Sequence, residues 1–289
     1  MNFNTKVIIE PNVKITASGV NVKINQESYL IQEIAKFKSL YITAKSGYIS
    51  FYAMKLLAMQ NITISFRNIN GKLIYDLLPK FYDNNIPGIR IGQIKAFLKN
   101  RDDIARFIIN QKHSKYNQLL IENELRPINP DLKEHLYAQK YWKLFRQLIT
   151  DCGYDYTDRR GKYGQLALKA TNKINALLNF YYGLIEHRLL REIAYKGLDY
   201  QISFLHEPTT HKLSLSYDLI EYLRADIDNV VLKMAKDNKI KDSHFTVNED
   251  YYLLKDKALP SYLKAIKPVE QEIPKTVDSF TDMILSLGQ

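Results

Sequence analysis

The apolar positions along this chain change period once. From Lys6 to about Leu78 they come in short runs rich in branched and aromatic residues: VII at 7–9, VKIT at 13–16, VNVKI at 20–24, LYITA at 40–44 and ITISF at 62–66. Runs of this kind, divided by turn signals at Ser18-Gly19 and Asn70-Gly71, predict strands. Residues 47–59 break the pattern with helical spacing and good helix formers in their second half, so one helix is expected on a small sheet. After Pro79 the stretch KFYDNNIPGIRIG has the composition of a linker. Beyond it apolar residues recur every three or four positions, which predicts helices over about 93–111, 114–123, 131–150, 166–196, 215–236 and 247–256. Pro127 and Pro130 separate the second helix from the third, Cys152-Gly153 ends the third, and YDYTDRRGKYG at 154–164 reads as a charged loop. The fold class is therefore α+β. A small N-terminal β-rich domain at 1–80 leads through a linker at 81–92 to a larger all-α domain at 93–256. A polar C-terminal tail follows at 257–289, in which SFTDMILSLG at 279–288 is amphipathic enough to dock.

Length and composition fit this division without adding elements. A chain of 289 residues can bury a substantial core. Its 46% hydrophobic and 25% charged residues include no low-complexity tract and no glycine-rich phosphate loop. No apolar run reaches the ~18 residues that a membrane span needs. The opening MNFNTKVIIE lacks the zones of a signal peptide, and the single Cys152 has no internal partner, so the cytoplasm is the expected compartment. Charge changes the picture more. The formal net charge is +10, and its distribution is uneven: residues 1–80 carry 10 basic and 4 acidic side chains, residues 81–150 carry 12 and 7, and residues 151–255 carry 15 of each. A positive field confined to the first half raises the local concentration of polyanions, of which nucleic acid is the commonest.

Candidate chemistry collects at 203–224, SFLHEPTTHKLSLSYDLIEYLR. On a helix from Ser214, Asp218 and Glu221 share one face at i and i+3, with Leu215, Leu219, Ile220 and Leu223 as the buried flank. Paired carboxylates raise each other's pKa unless a cation lies between them. His206 precedes this helix by a loop long enough to fold its imidazole back over the acids, and Glu134, in KEHLYAQKYW, is the acid best placed to complete a cation site. Mixed nitrogen and oxygen donors suit Mg²⁺ or Mn²⁺, with positions left for water and phosphate oxygens. Without a thiolate pair a structural zinc site is not expected. The plain alternative is a hydrogen-bonded core histidine beside a solvated acidic pair. His113, His135, His187, His211 and His244 read as structural or surface residues.

Five short matches extend this reading. Asn175 to Asn179, Gly197-Leu198-Asp199, Phe204-Leu205-His206, and Ser214-Leu215 with Asp218-Leu219, Glu221 and Arg224 follow the blocks N-A-L-L-N, G-L-D, F-L-H and S-L-x-x-D-L-x-E-x-F-R. Upstream, Glu134, Ala138, Tyr141 and Trp142 follow E-x-x-x-A-x-x-Y-W. In these blocks the chain resembles the CRISPR-associated adaptation integrases, the Cas-one family, over roughly residues 5–255. The chain departs from the family at Tyr200, where proline is common, at Ser203, where glycine is usual, and at Tyr181, which replaces the glycine of N-Y-G-Y.

The resemblance implies an N-terminal β domain, a linker and a helical catalytic domain. It also implies a metal-dependent DNA endonuclease and integrase that inserts spacer DNA into a CRISPR array. Such a protein works as a homodimer, commonly with a small dimeric partner, Cas-two. By position Glu134, His206 and Glu221 become the metal ligands, and Asp218 an acid that orients or supplements them. Lys140 and Lys143, and the crowded Arg159, Arg160 and Lys162, are candidates for phosphate contact with double-stranded DNA. The rival readings are a transposon-type integrase built on the same domain and a noncatalytic nucleic-acid-binding protein.

Overall fold

Alternation in the first third of the chain sends successive side chains to two different cores. In a computed structural model, which describes residues 4–68, 73–79, 86–156, 170–209, 213–248 and 251–288, this third forms two four-stranded sheets. The elements run β1 (Asn4–Ile8), β2 (Asn12–Ser18), β3 (Asn21–Ile24), β4 (Glu27–Leu30), α1 (Ile31–Ile34), β5 (Phe37–Ile42), β6 (Ser46–Ile49), α2 (Phe51–Met59), β7 (Thr63–Arg67) and β8 (Leu73–Leu77). One sheet has the order β1-β5-β7-β8, with β8 antiparallel to β7 and the other neighbours parallel. The other has the order β4-β3-β2-β6, two antiparallel hairpin steps and a parallel β6. Ile8, Leu40, Ile42, Ile64 and Phe66 point toward the second sheet and α2, where they meet Val13, Ile15, Val22, Ile24 and Leu57 in a small core. The intervening positions Thr5, Ser39, Thr63, Ser65 and Arg67 are also buried. Period-two geometry places them together on the other face of that sheet.

The expected helix at 47–59 starts later than its spacing implied. Gly47, at φ +142°, pairs with Val13 in β6, and a Cβ there would lie 1.8 Å from the Val13 carbonyl oxygen, so strand pairing takes residues 46–49. Ser50 then caps α2 by accepting a hydrogen bond from the Ala53 amide. The turn signal at Asn70-Gly71 lies outside the described residues.

The rest of the chain is α3 (Ile86–Glu122), α4 (Glu134–Asp151), α5 (Lys173–Lys196), α6 (Ser214–Ile220), α7 (Arg224–Lys236), a hairpin of β9 (Phe245–Asn248) and β10 (Tyr251–Leu254), and α8 (Leu259–Leu287). Five expectations are corrected. The linker placed at 81–92 gives way to helix from Ile86, and the expected break near 112–113 does not exist: α3 runs through it and kinks instead at Asn100, whose φ is −134°. Residues 245–254 form a hairpin, because a short aromatic and branched stretch satisfies its backbone better by pairing than in an isolated helical turn. The stretch 215–236 is two helices, broken after Ile220. Finally, the polar tail is α8. Leu259, Tyr262, Ile266, Val269, Ile273, Val277, Phe280 and Ile284 keep helical spacing and are buried, whereas Pro268 is exposed on the outer side.

Helix α5 is the axis of the larger core, buried nearly all round and packed on α8, α6 and α7. Arg188 of α5 pairs with Glu270 of α8 at 2.7 Å with both side chains buried, and burial raises the Glu270 carboxyl to about 7 against the pull of that guanidinium. The polar face of the first sheet rests on the same helix. Arg67 is buried over the Tyr41 ring and donates to Glu186 at 3.0 Å, and Arg191 donates to the Lys38 carbonyl. His187 lies edge-on to Tyr41, and burial together with Arg67, Arg188 and Arg191 holds its pKa well below the usual histidine value.

Gly197 ends α5 in the left-handed region at φ +83°, and a Cβ there would meet Ile86 at 2.8 Å. Gly197→Ala is expected to destabilise the protein by about 1–3 kcal/mol, from positive φ and the collision with the start of α3 together. Urea unfolding followed by circular dichroism measures this; a loss within error of zero would show that the helix end relaxes freely.

Candidate active site

The motif F-L-H is a loop wrapped around a buried carboxylate. Asp218, wholly inaccessible, accepts hydrogen bonds from the amides of Phe204 at 2.6 Å, Leu205 at 3.0 Å and His206 at 3.0 Å, and from His206 Nδ1 at 2.8 Å. These bonds explain the spacing of the motif: one acid on α6 gathers three consecutive N–H groups, which fixes the path of 204–206. With its hydrogen on Nδ1, the His206 ring keeps a lone pair on Nε2. Ser203, where the resembled family has glycine, donates its hydroxyl to the His206 carbonyl and closes the turn. From α3, Arg101 donates to the Phe204 carbonyl, and the buried Gln93 bonds the backbone of Asp199 and Ile202. Another departure, Tyr181, is a core residue whose hydroxyl donates to the Tyr262 carbonyl of α8. Tyr200 is half-buried beside the loop.

The acids themselves converge on a lysine. Glu134 is the first residue of α4, and Glu221 stands at the break between α6 and α7. Lys112 Nζ lies 2.5 Å from Glu134 Oε1 and 2.7 Å from Glu221 Oε2. The remaining oxygens have their own partners: His113 Nε2 lies 2.6 Å from Glu134 Oε2, and Arg224 Nε donates to Glu221 Oε1 at 2.7 Å. Burial alone would raise both carboxyls. At Glu134 the His113 hydrogen bond and the Lys112 charge more than offset it, and at Glu221 the Arg224 and Lys112 charges do so, aided by His206, so both stay below the ordinary glutamate value. Arg224, three residues after Glu221, thus faces that carboxylate. Behind them Tyr141 and Tyr182 both donate to Asp228, buried at the centre of the helical core.

The structure thus brings Glu134 and Glu221 to one cation, with His206 in electrostatic reach of Glu221 and its Nδ1 held by Asp218. Among the described residues no three histidine, cysteine, aspartate or glutamate side chains stand close enough to grip a single ion. The Lys112 ammonium lies against both carboxylates instead. Lys140 and Lys143 project from the exposed side of α4, opposite the buried stripe of Tyr137, Tyr141, Phe145 and Ile149. Arg159, Arg160 and Lys162 lie outside the described residues.

Lys112 and His113 were the residues that periodicity missed, His113 having been assigned a structural part. A signal for Lys112 exists in the sequence. It falls four residues after Ile108 and four before Tyr116, on the inward stripe of α3, where a lysine needs an acid.

Similarity to known proteins agrees with this geometry. The family model for CRISPR associated protein Cas1 matches residues 132–268, the segment that carries Glu134, His206, Asp218 and Glu221. That segment, a little under half of the chain, is similar to Cas1 proteins. A Clostridium perfringens protein named CRISPR-associated endonuclease Cas1 is 24% identical over 239 residues, covering 80% of this chain and 68% of that protein. A Moorella thermoacetica protein named CRISPR-associated endonuclease Cas1 2 is 28% identical over 107 residues, covering 37% of this chain and 32% of that protein. Among solved structures, a Cas1 protein from Thermotoga maritima superposes with a TM-score of 0.81 at 16% identity, covering 96% of each chain. A casposase bound to integration product gives 0.80 at 22% identity, covering 97% of this chain and 91% of that one. A Cas6-RT-Cas1–Cas2 complex gives 0.74 at 12% identity, with all of this chain matched to 36% of that one. The chain shares their fold: N-terminal strands followed by a mostly helical region. Among the described residues, no helix is long and apolar enough to cross a membrane.

The loop around Asp218 yields a test. Asp218→Ala leaves three amides and an imidazole unpaired in a buried site, and is expected to cost more than about 3 kcal/mol in urea unfolding, each orphaned group contributing about 1–3 kcal/mol. Asp218→Asn, which still accepts but at one oxygen only, should recover part of the loss. Equal stability of Asp218→Ala and the unaltered protein would show that the loop holds its shape without this acid.

Proposed function

We propose that this chain is a Cas1 protein, a metal-dependent DNA endonuclease and strand transferase that inserts spacer DNA into a CRISPR repeat array. The observation that carries the reading is the convergence of Glu134 and Glu221, distant in sequence, on one positive charge beside an imidazole locked by Asp218.

The donor types, two carboxylates and an imidazole, are those a divalent ion takes, and holding one requires the Lys112 ammonium to withdraw from Glu134 and Glu221. Glu221 Oε2 is buried with the Lys112 ammonium 2.7 Å from it; Glu134 is partly open to solvent, and so is His206. Two carboxylates and one neutral imidazole are the ligands that Mg²⁺ or Mn²⁺ accepts. Glu134 Oε1, Glu221 Oε2 and His206 Nε2 would hold the ion, which supplies Lewis-acid polarisation of a backbone phosphate. The protein's own part is positioning. Asp218 keeps the His206 ring oriented, Arg224 and His113 anchor the second carboxylate oxygens, and surface lysines such as Lys140 and Lys143 hold the duplex by its phosphates. In strand transfer a 3′-hydroxyl loses its proton and forms a new bond to phosphorus while the bond to the departing 3′-oxygen breaks, so the number of phosphodiesters is unchanged. With water as the nucleophile the same geometry cuts DNA.

The protein is assigned to a homodimer that works with the small partner Cas2. Tyr48, Phe51 and Tyr52, at β6 and the start of α2, are 55%, 88% and 44% exposed, an apolar group on the small domain that suits a second copy. The likeness to a casposase favours a second reading with the same chemistry, integration at transposon ends. The target separates the two.

His206→Ala and Glu221→Gln are expected to lower Mn²⁺-dependent cleavage and strand transfer on a plasmid carrying a repeat array by at least about a hundredfold. Duplex binding in a mobility-shift assay should persist. Undiminished activity in both variants would end the metal assignment, no activity in the unaltered protein would favour a binding module, and integration without preference for the repeat would favour the transposon reading. In sedimentation velocity, Phe51→Asp should shift a dimer to monomer; a dimer of unchanged stability would move the interface elsewhere.

A further inference from the structure

Lys112, at the centre of the site, belongs to none of the matched motifs. Its stem leaves the buried stripe of α3, its side chain is 13% exposed, and its ammonium lies 6.0 Å from the centre of the Tyr116 ring. Each neighbouring carboxylate keeps a private partner on one oxygen, His113 for Glu134 and Arg224 for Glu221, and shares Lys112 on the other. The shared oxygens are the two that a divalent ion would take.

We propose that Lys112 is a built-in counterion, holding Glu134 and Glu221 together while no divalent ion is bound and competing with that ion for the same two oxygens. The proposal rests on the metal-dependent reading above. Without a cation between them, two carboxylates at the edge of a core repel each other and lose solvation, so the ion-free site would open or bind other cations. With Lys112 in place the site stays assembled, and an incoming ion must break two ion pairs and turn the ammonium away. Metal affinity is thereby set below what the carboxylates alone would give. Removing the competitor raises the free energy of the ion-free state and removes a like charge from the ion-bound one, and both changes tighten binding.

The experiment is calorimetric titration of the full chain with Mn²⁺ alone. Lys112→Met, which keeps the stem and loses the charge, is expected to bind Mn²⁺ about tenfold more tightly than the unaltered protein, the scale of two partly buried ion pairs. Its ion-free melting temperature should fall, and saturating Mn²⁺ should raise it by more than in the unaltered chain. In the unaltered chain, competition is read separately as faster reductive methylation of Lys112 with Mn²⁺ present, mapped by peptide mass. If Glu221→Gln abolishes Mn²⁺ binding but Lys112→Met binds no more tightly than the unaltered protein, the counterion role is overturned and the metal site stands. A methylation rate at Lys112 that Mn²⁺ leaves unchanged overturns it equally, including where the variant does not fold. If the unaltered protein and Glu221→Gln take up Mn²⁺ alike, the metal site itself fails and the counterion role with it.

Discussion

Two carboxylates from distant parts of a chain cannot be packed at one core edge without a positive charge between them. Glu221 is almost completely buried, and a lone carboxylate in that position would cost several kcal/mol of lost hydration. Lys112 and Arg224 remove that cost. The constraint reaches beyond the site, because Lys112 is on target only if the stripe Ile104, Ile108, Tyr116 and Leu120 is buried. It also requires α4 to begin at Glu134 and the helical chain to break beside Glu221. Three helical segments are registered against one another through a single ammonium.

Beside it, a loop is shaped by hydrogen bonds more than by packing. Residues 204–206 turn around Asp218 because a buried carboxylate needs donors and three successive amides supply them. Helix α3 braces both features: Gln93 before the kink and Arg101 just after it hold the loop, and Lys112 and His113 farther along hold the acids. The kink at Asn100 is itself tied down, since its side chain donates to the Leu287 carbonyl at the end of α8. The former tail is therefore part of the frame on which the site is built.

The small domain meets this frame through a polar surface. Thr5 and Ser39 bond each other there, and Arg67 reaches Glu186 on α5, so the contact depends on matched partners and not on apolar area alone. A surplus of positive charge in the first half of the chain gives the protein a field that attracts polyanions. The fold is common to a Cas1 protein and a casposase.

The sequence by itself determined the change from strand to helix, the order of the two domains, and the acids and imidazole of the motif blocks. These are local matters: period and residue type carry them. It misjudged elements whose form depends on partners. Residues 46–49 follow β2 as a strand because Gly47 admits the Val13 backbone, residues 245–254 pair as a hairpin, and α8 continues past two prolines because its buried stripe outweighs the lost backbone bonds. The site divides in the same way. His206, Asp218 and Glu221 were legible from spacing, but Lys112 and His113 fell in a presumed gap between helices. Only the tertiary structure decided that a lysine on a buried stripe should end between Glu134 and Glu221. Charge compensation acts between residues that meet in space, and no periodicity along one segment records where its partners will be.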